Sequence, residues 1–211
     1  MKHLNVLIAC EESQAECDAF RRAGHNAFSC DIQPCRRGGH PEWHIKGDVT
    51  PFLQGTTQFR TMDGRHHHLS RWHLIIAHPP CTYLCKVSSV QMVKGGKVDP
   101  DRLAKMMQAR EFFFRCLQAD APFVAVENPL PMARANLPQP SCFIQPFWFG
   151  EPYSTKNLPP LMADAQAVDI KQFCHSSRGK YRSRTFPKVA NAIARQWGNW
   201  CSDQLGINYP R

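Results

Sequence analysis

Short unbroken apolar runs alternate along this chain with stretches in which apolar residues recur every three or four positions. The run from Leu4 to Ala9 has no polar face and predicts a buried strand. Ser13 is placed to cap a helix reaching about Ala23, with Ala15, Ala19 and Phe20 on its inner face and Gly24 as its stop. A second strand is predicted from Ala27 to Cys30, ending in Asp31, and a short third around Ile45, before Gly47-Asp48-Val49. Residues 54 to 71, with the run His66-His67-His68, read as a polar loop. Leu74 to Ala77 is the next buried strand and runs into His78-Pro79-Pro80-Cys81. Asp99 followed by Pro100 is a strong helix start. Behind it Leu103, Met106, Met107, Arg110, Phe113, Phe114 and Leu117 repeat at helical spacing, which marks a packing face. Phe123 to Val126 predicts another strand, entering Glu127-Asn128-Pro129. Prolines are dense from Pro129 to Pro160, a sign of loops and edge structure, and Lys188 to Trp197 predicts a last helix.

Strands alternating with helices imply an α/β fold with a mostly parallel sheet and helices on both faces. Ligands on such sheets bind at the carboxyl ends of the strands. Glu11, Glu12, Asp31, Asp48, Cys81 and Glu127 each follow an apolar run and so fall on that edge. Five strand ends bearing cysteine or carboxylate are hard to read as a merely solvated surface.

Composition narrows the class. The 211 residues suit one domain, and 43% hydrophobic against 20% charged residues allows a core and excludes global disorder. Lysine and arginine total 26 against 17 acids, a formal charge of +9 that predicts attraction to a polyanion. Residues 171 to 202 hold Lys171, Arg178, Lys180, Arg182, Arg184, Lys188 and Arg195 without an acid, with Tyr181 and Phe186 interleaved. That segment reads as phosphate-contacting, with a solvated basic face as the plain alternative. The ten cysteines do not call for a disulfide scaffold in a chain this long. The opening apolar run is too short for a secretory h-region or a membrane span, so reduced thiols and a cytoplasmic location are expected.

Several strand ends carry specific chemistry. Asp31 lies about twenty residues past the first strand, where an acid reaches a ribose; it is equally a turn former. Asp48 is placed to cap a helix or to accept from an adenine amino group. The first turn, Ala9-Cys10-Glu11-Glu12-Ser13, lacks Gly-x-Gly-x-x-Gly, which argues against a pyrophosphate-bearing dinucleotide and favours a cofactor without phosphate. Pro79-Pro80 fixes the chain as it leaves a strand and presents Cys81 rigidly. Residues 65 to 98 contain no carboxylate but include Arg65, Arg71, Lys86, Lys94 and Lys97, a setting that favours a thiolate nucleophile. The plain alternative is an inert buried cysteine. A carboxyl at Glu127, held against the sheet, is suited to donate a hydrogen bond to a ring nitrogen.

Pro79-Pro80-Cys81 followed by Glu127-Asn128-Pro129 resembles the two catalytic motifs of DNA cytosine-5 methyltransferases. The opening strand, Asp31 and Gly47-Asp48 are similar, in the same order, to that family's S-adenosylmethionine motifs. More closely, the chain resembles short cytosine methyltransferase-like proteins of phages and prophages. Cys30-Asp31-Ile32-Gln33-Pro34, Gly39-His40-Pro41-Glu42-Trp43-His44 and His78-Pro79-Pro80-Cys81-Thr82-Tyr83-Leu84 carry that likeness over nearly the whole chain. The resemblance implies a Rossmann-like, S-adenosylmethionine-dependent methyltransferase fold in a single domain, 1–211, encoded by a phage or prophage in a bacterial host. It implies that Cys81 adds to carbon 6 of cytosine while Glu127 hydrogen-bonds nitrogen 3 and the exocyclic amine, and that carbon 5 then takes the methyl group. Arg182-Ser183-Arg184 is the candidate for the family's Arg-x-Arg element at the base. S-Adenosylmethionine would be held by Ala9, Cys10, Glu11, Asp31, Ile32, Asp48, Val49 and Pro79, and DNA would be the partner, with its target base flipped out.

The chain departs from the family in places. His78 stands where large members usually carry glycine, and no stretch is long enough for a separate target-recognition domain. After Glu151-Pro152-Tyr153-Ser154 the chain goes directly into Thr155-Lys156-Asn157-Leu158-Pro159-Pro160, where short relatives continue into another apolar strand. Cys30, Cys35, His40 and His44 lie close in sequence but have no recognised finger spacing, so no metal is expected. Two rival functions are a methyltransferase for a nucleotide or a base amino group, and a non-catalytic nucleic-acid binder. Amino methyltransferases place an aromatic after their proline pair, where this chain has Cys81.

Overall fold

A computed structural model describes residues 3–144, 146–149 and 185–207. In chain order its elements are β1 (Asn5–Ala9), α1 (Ala15–Arg22), β2 (Asn26–Asp31), β3 (His44–Lys46), the single turn α2 (Thr50–Leu53), β4 (Gln58–Arg60), β5 (His66–His68), β6 (Leu74–Ala77), β7 (Val93–Lys94), β8 (Lys97–Val98), α3 (Pro100–Leu117), β9 (Phe123–Val126) and α4 (Pro187–Gln204). Five strands form one sheet in the order β3-β2-β1-β6-β9, every pair parallel. The chain first builds outward from β1 through β2 to β3, then returns to lay β6 and β9 on the other side. This is a generic Rossmann-like arrangement, and its order reverses between β1 and β6.

The strand alternation explains both cores. Val6 and Ile8 of β1, with Leu74 and Ile76 of β6, face Cys17, Ala19 and Phe20 of α1 and Val189, Ala190, Ile193 and Ala194 of α4. Leu7, Ala9, Ile75 and Ala77 point the other way, onto Val49, Phe52 and Leu53 around α2, and onto Phe59, Trp72 and Cys116. Each such aliphatic residue removed from water contributes roughly 1.5–3 kcal/mol, so a strand buried on both faces needs no polar alternation. A third cluster of Leu84, Met92, Met106, Phe113, Met132 and Ala135 anchors the segments after β6 and β9 to α3.

The predicted strands of the sheet are all found. α1 ends at a left-handed Gly24, φ 84°, as expected. α3 starts at Asp99, whose Oδ1 accepts the Arg102 N–H at 3.1 Å. Its inner face is rotated from the predicted one: Met106, Phe113 and Cys116 are buried, while Met107 and Leu117 are exposed. The predicted polar loop 54 to 71 contains the antiparallel hairpin β4–β5. Phe59 anchors it, stacked 5.6 Å from Trp72 and 5.1 Å from His67. α4 runs further than predicted, to Gln204. No helix among the described residues is long and apolar enough to cross a membrane. The predicted gap after Ser154 lies outside the described residues.

Candidate active site

The carboxyl ends of the five strands collect the polar residues singled out in the sequence. Beyond β1 the chain turns at Cys10, φ 61°, whose N–H donates to the Cys30 carbonyl at 2.7 Å. Gln14 is a second non-glycine residue at positive φ, 58°. Two left-handed residues in one turn do without the glycines whose absence the sequence shows, and such backbone tends to persist where the surroundings over-determine it. Gln14 is buried and clamped: its Oε1 accepts the His40 N–H at 2.7 Å, and its Nε2 donates to Ser29 Oγ and the His40 carbonyl. His44 completes the clamp, sharing hydrogen bonds with Ser29 Oγ at 2.8 Å and the Gln33 carbonyl at 2.9 Å.

Glu11 turns its carboxylate onto the start of α1, where Oε1 accepts the Glu16 N–H at 2.7 Å and Oε2 the Cys17 N–H at 3.2 Å. It shares the capping predicted for Ser13, whose Oγ accepts the Ala15 N–H at 3.4 Å, while the N-cap residue itself, Gln14, makes no side-chain bond to α1. The helix end that commonly receives a phosphate is therefore filled by a carboxylate of the chain itself. Burial, reinforced by the neighbouring Glu16 charge, pushes the Glu11 carboxyl up to about 7.

Asp31 ends β2 half-buried, with Oδ1 accepting the Gln33 N–H at 2.8 Å. Ile32 beside it is 71% exposed. Asp48 is exposed, and its Oδ1 accepts from the Thr50 N–H and hydroxyl at 2.9 and 2.8 Å, so it carries the predicted capping role at α2. Ala9 and Val49 lie in the core and Pro79 is buried. The groups most open to solvent on this side are thus the Ile32 and Asp48 side chains, with Asp31 half-buried beside them.

β6 pairs directly with β9, Ala77 opposite Val126, and the Glu127 N–H donates to the Ala77 carbonyl at 2.9 Å. The strands leading to Cys81 and Glu127 are therefore neighbours. Cys81 opens a turn in which its carbonyl accepts from the Leu84 and Cys85 N–H groups at 2.9 and 3.0 Å. The onward chain is tied to the segment after β9, through Lys86 N–H to the Leu130 carbonyl at 2.7 Å and Met132 N–H to the Leu84 carbonyl at 2.8 Å. Cys81 is half-buried, whereas Cys17, Cys30, Cys116 and Cys201 are buried. Burial pushes the Cys30 and Cys116 thiols up to about 12 and Cys201 to about 11, which keeps them protonated and inert. The Glu127 side chain is 60% exposed.

Between these tips lies a group the sequence did not single out for chemistry. His78 follows β6, with Nε2 3.2 Å from Glu16 Oε1 and Nδ1 3.9 Å from Glu127 Oε2. The first is an ion contact whose direction falls short of a hydrogen bond. Glu16 is 1% exposed, and its Oε1 accepts the Thr185 hydroxyl at 2.7 Å. Burial works against charge on both partners. Their mutual attraction outweighs it, holding the Glu16 carboxyl below the ordinary range and the His78 imidazole well above its own.

Arg182 and Arg184 lie outside the described residues, as do Lys171, Arg178 and Lys180 of the basic segment, whereas its part from 185 to 202 is described and mostly lies in α4. Thr185 is the next described residue after them. No group of three or more His, Cys, Asp or Glu is placed to hold a metal ion among the described residues. A cavity of about 790 Å3 opens beside His3, His25, Arg71 and His73, and one of about 450 Å3 beside Gly55 and Asp120. Both lie at the amino end of the sheet, the end where parallel sheets do not ordinarily do chemistry. Comparison of the chain with protein-family models, curated proteins and solved structures gives no match.

Proposed function

We propose that the protein is an S-adenosylmethionine-dependent DNA cytosine-5 methyltransferase, folded as the Rossmann-like domain of that class and working in the cytoplasm of a bacterial host. The observation that carries the reading is the pairing of β6 with β9. It sets a half-buried thiol after two prolines and an exposed carboxyl on adjacent strand ends, beside the point where the strand order reverses.

Cys81 forms the Sγ–C6 bond with a flipped cytosine, and Glu127 meets nitrogen 3 and the exocyclic amine. Proton donation at nitrogen 3 draws electron density from the ring, which makes carbon 6 electrophilic and then leaves carbon 5 nucleophilic. The cofactor, when bound, supplies an electrophilic methyl group on a sulfonium. Asp31 and Ile32 line its side of the sheet, and Asp48 fixes the neighbouring turn through Thr50. The +9 charge and the basic segment serve the phosphate backbone of the substrate, with Arg182 and Arg184 at the base.

The test is nucleoside mass spectrometry of unmethylated DNA incubated with S-adenosylmethionine and either the wild type or Cys81→Ala. The wild type should produce 5-methylcytosine and the alanine variant none, with DNA affinity retained. A modified amino group, or 5-methylcytosine from both proteins, would overturn the assignment.

A further inference from the structure

His78 occupies the centre of the strand-end cluster, yet the reaction as described leaves it unused. Its side chain is 18% exposed and stands between a buried carboxylate and an exposed one. The buried partner, Glu16, has one oxygen bonded to Thr185 and its other oxygen without a hydrogen-bond partner among the described residues. An ionised carboxylate so poorly supplied with donors needs a cation at hand, and His78 is in ion contact with it. Glu11, the third carboxyl, is committed to the N–H groups of α1. Among the described residues, the charged groups around the imidazole are therefore Glu16 and Glu11 around α1 and Glu127 after β9.

Resting on the methyltransferase reading, we propose that His78 is a proton reservoir for Glu127, a positioning residue that reloads the carboxyl between donations to the base. The imidazolium gives its Nδ1 proton to Glu127, leaving neutral imidazole and a neutral carboxyl. When the Cys81 Sγ–C6 bond forms, the C5–C6 π pair shifts through the ring and nitrogen 3 takes the proton from Glu127, leaving carboxylate. On elimination the Sγ–C6 bond breaks, nitrogen 3 returns its proton to Glu127, and Glu127 returns it to His78. The proton lost from carbon 5 leaves to solvent. Glu16 stays ionised throughout and keeps the imidazole basic enough to recover its proton. The 3.9 Å separation is an ion-pair distance that tightens to a hydrogen bond when a base fills the cleft, as such contacts commonly do.

The test has two arms. In the first, the His78 imidazole of the full chain is titrated by NMR with labelled histidine, its signal identified by its loss in His78→Gln. The charged form should persist well above the usual midpoint in the wild type, retreat strongly in Glu16→Gln, and retreat by a smaller step in Glu127→Gln, whose exposed side chain makes misfolding no concern. A titration indifferent to Glu127→Gln overturns the reservoir. In the second arm, His78→Gln should lower the turnover of 5-methylcytosine formation by about tenfold and shift its pH profile, with KM for DNA little changed. A wild-type pH profile in that variant also overturns it. A coupled titration in a protein that makes no 5-methylcytosine upholds the proton exchange and removes cytosine as its object.

Discussion

Glu11 shows how one side chain settles a local conformation and a pH dependence together. Its carboxylate satisfies two of the free N–H groups of α1, and burial beside Glu16 pushes its carboxyl up to about 7. A folded-state value above the ordinary one means stability that is full below about pH 4.5 and lost as pH rises through about 7. Glu11→Gln cannot titrate. Its melting temperature relative to wild type should therefore improve from pH 5 to pH 8, by the equivalent of on the order of 3 kcal/mol. An unchanged gap across that range, measured by thermal denaturation, would contradict the burial argument. At this scale the sequence was only partly legible. Cys81, Glu127, Asp31 and Asp48 were visible because each breaks an apolar run at its end. Glu16 was not, because an acid in a first helical turn ordinarily faces water and favours the helix dipole. His78 was visible only as an unexpected residue before the proline pair. Its partners come from α1 and from the end of β9, about fifty to sixty residues away in either direction, a separation that no local pattern spans.

Elements follow the same logic at longer range. The sheet was legible because buried parallel strands are continuous apolar runs, and α3 because Asp99-Pro100 is a strong start. The hairpin β4–β5 was hidden, since only Phe59 of its strand residues is strongly apolar, and its one other inward side chain is a histidine, His67. The rotation of α3 has a similar cause. Cys116 counts weakly in a hydrophobic pattern, yet it is buried against the sheet, while Met107 and Leu117 are apolar without being covered. The contact of α1 with α4 sets a sharper prediction. A Cβ at Gly198 of α4 would run into the His25 ring, which is itself buried and lies against Phe20 with ring centroids 5.8 Å apart. Helix propensity favours alanine there by about 1 kcal/mol, but overpacking against the buried His25 ring costs about 1–3 kcal/mol. Gly198→Ala should therefore destabilise the protein in chemical denaturation, and a gain in stability would show that α4 can slide away from α1.

At the scale of the molecule, the sheet brings Cys81 and Glu127 to its carboxyl edge, and the chain carries a formal charge of +9. Fold class was legible from alternation alone. The strand order was not, because the return of β6 to the far side of β1 depends on which faces the crossovers must cover. If the basic segment contacts DNA as proposed, binding should weaken steeply with salt, the slope of log K against log salt being about −0.9 per phosphate neutralised. Replacing Arg178, Lys180, Arg182 and Arg184 together with glutamine should then flatten the slope by about 3 to 4. An unchanged slope would place the contact elsewhere on the surface. The most direct test of the whole account uses DNA in which the target cytosines carry fluorine at carbon 5. Fluorine cannot leave as a proton, so the covalent intermediate is trapped. With S-adenosylmethionine present, the wild type should form a protein–DNA adduct whose peptide mass maps to Cys81, and Cys81→Ser should form none. No adduct, or one that survives that substitution, would contradict the account.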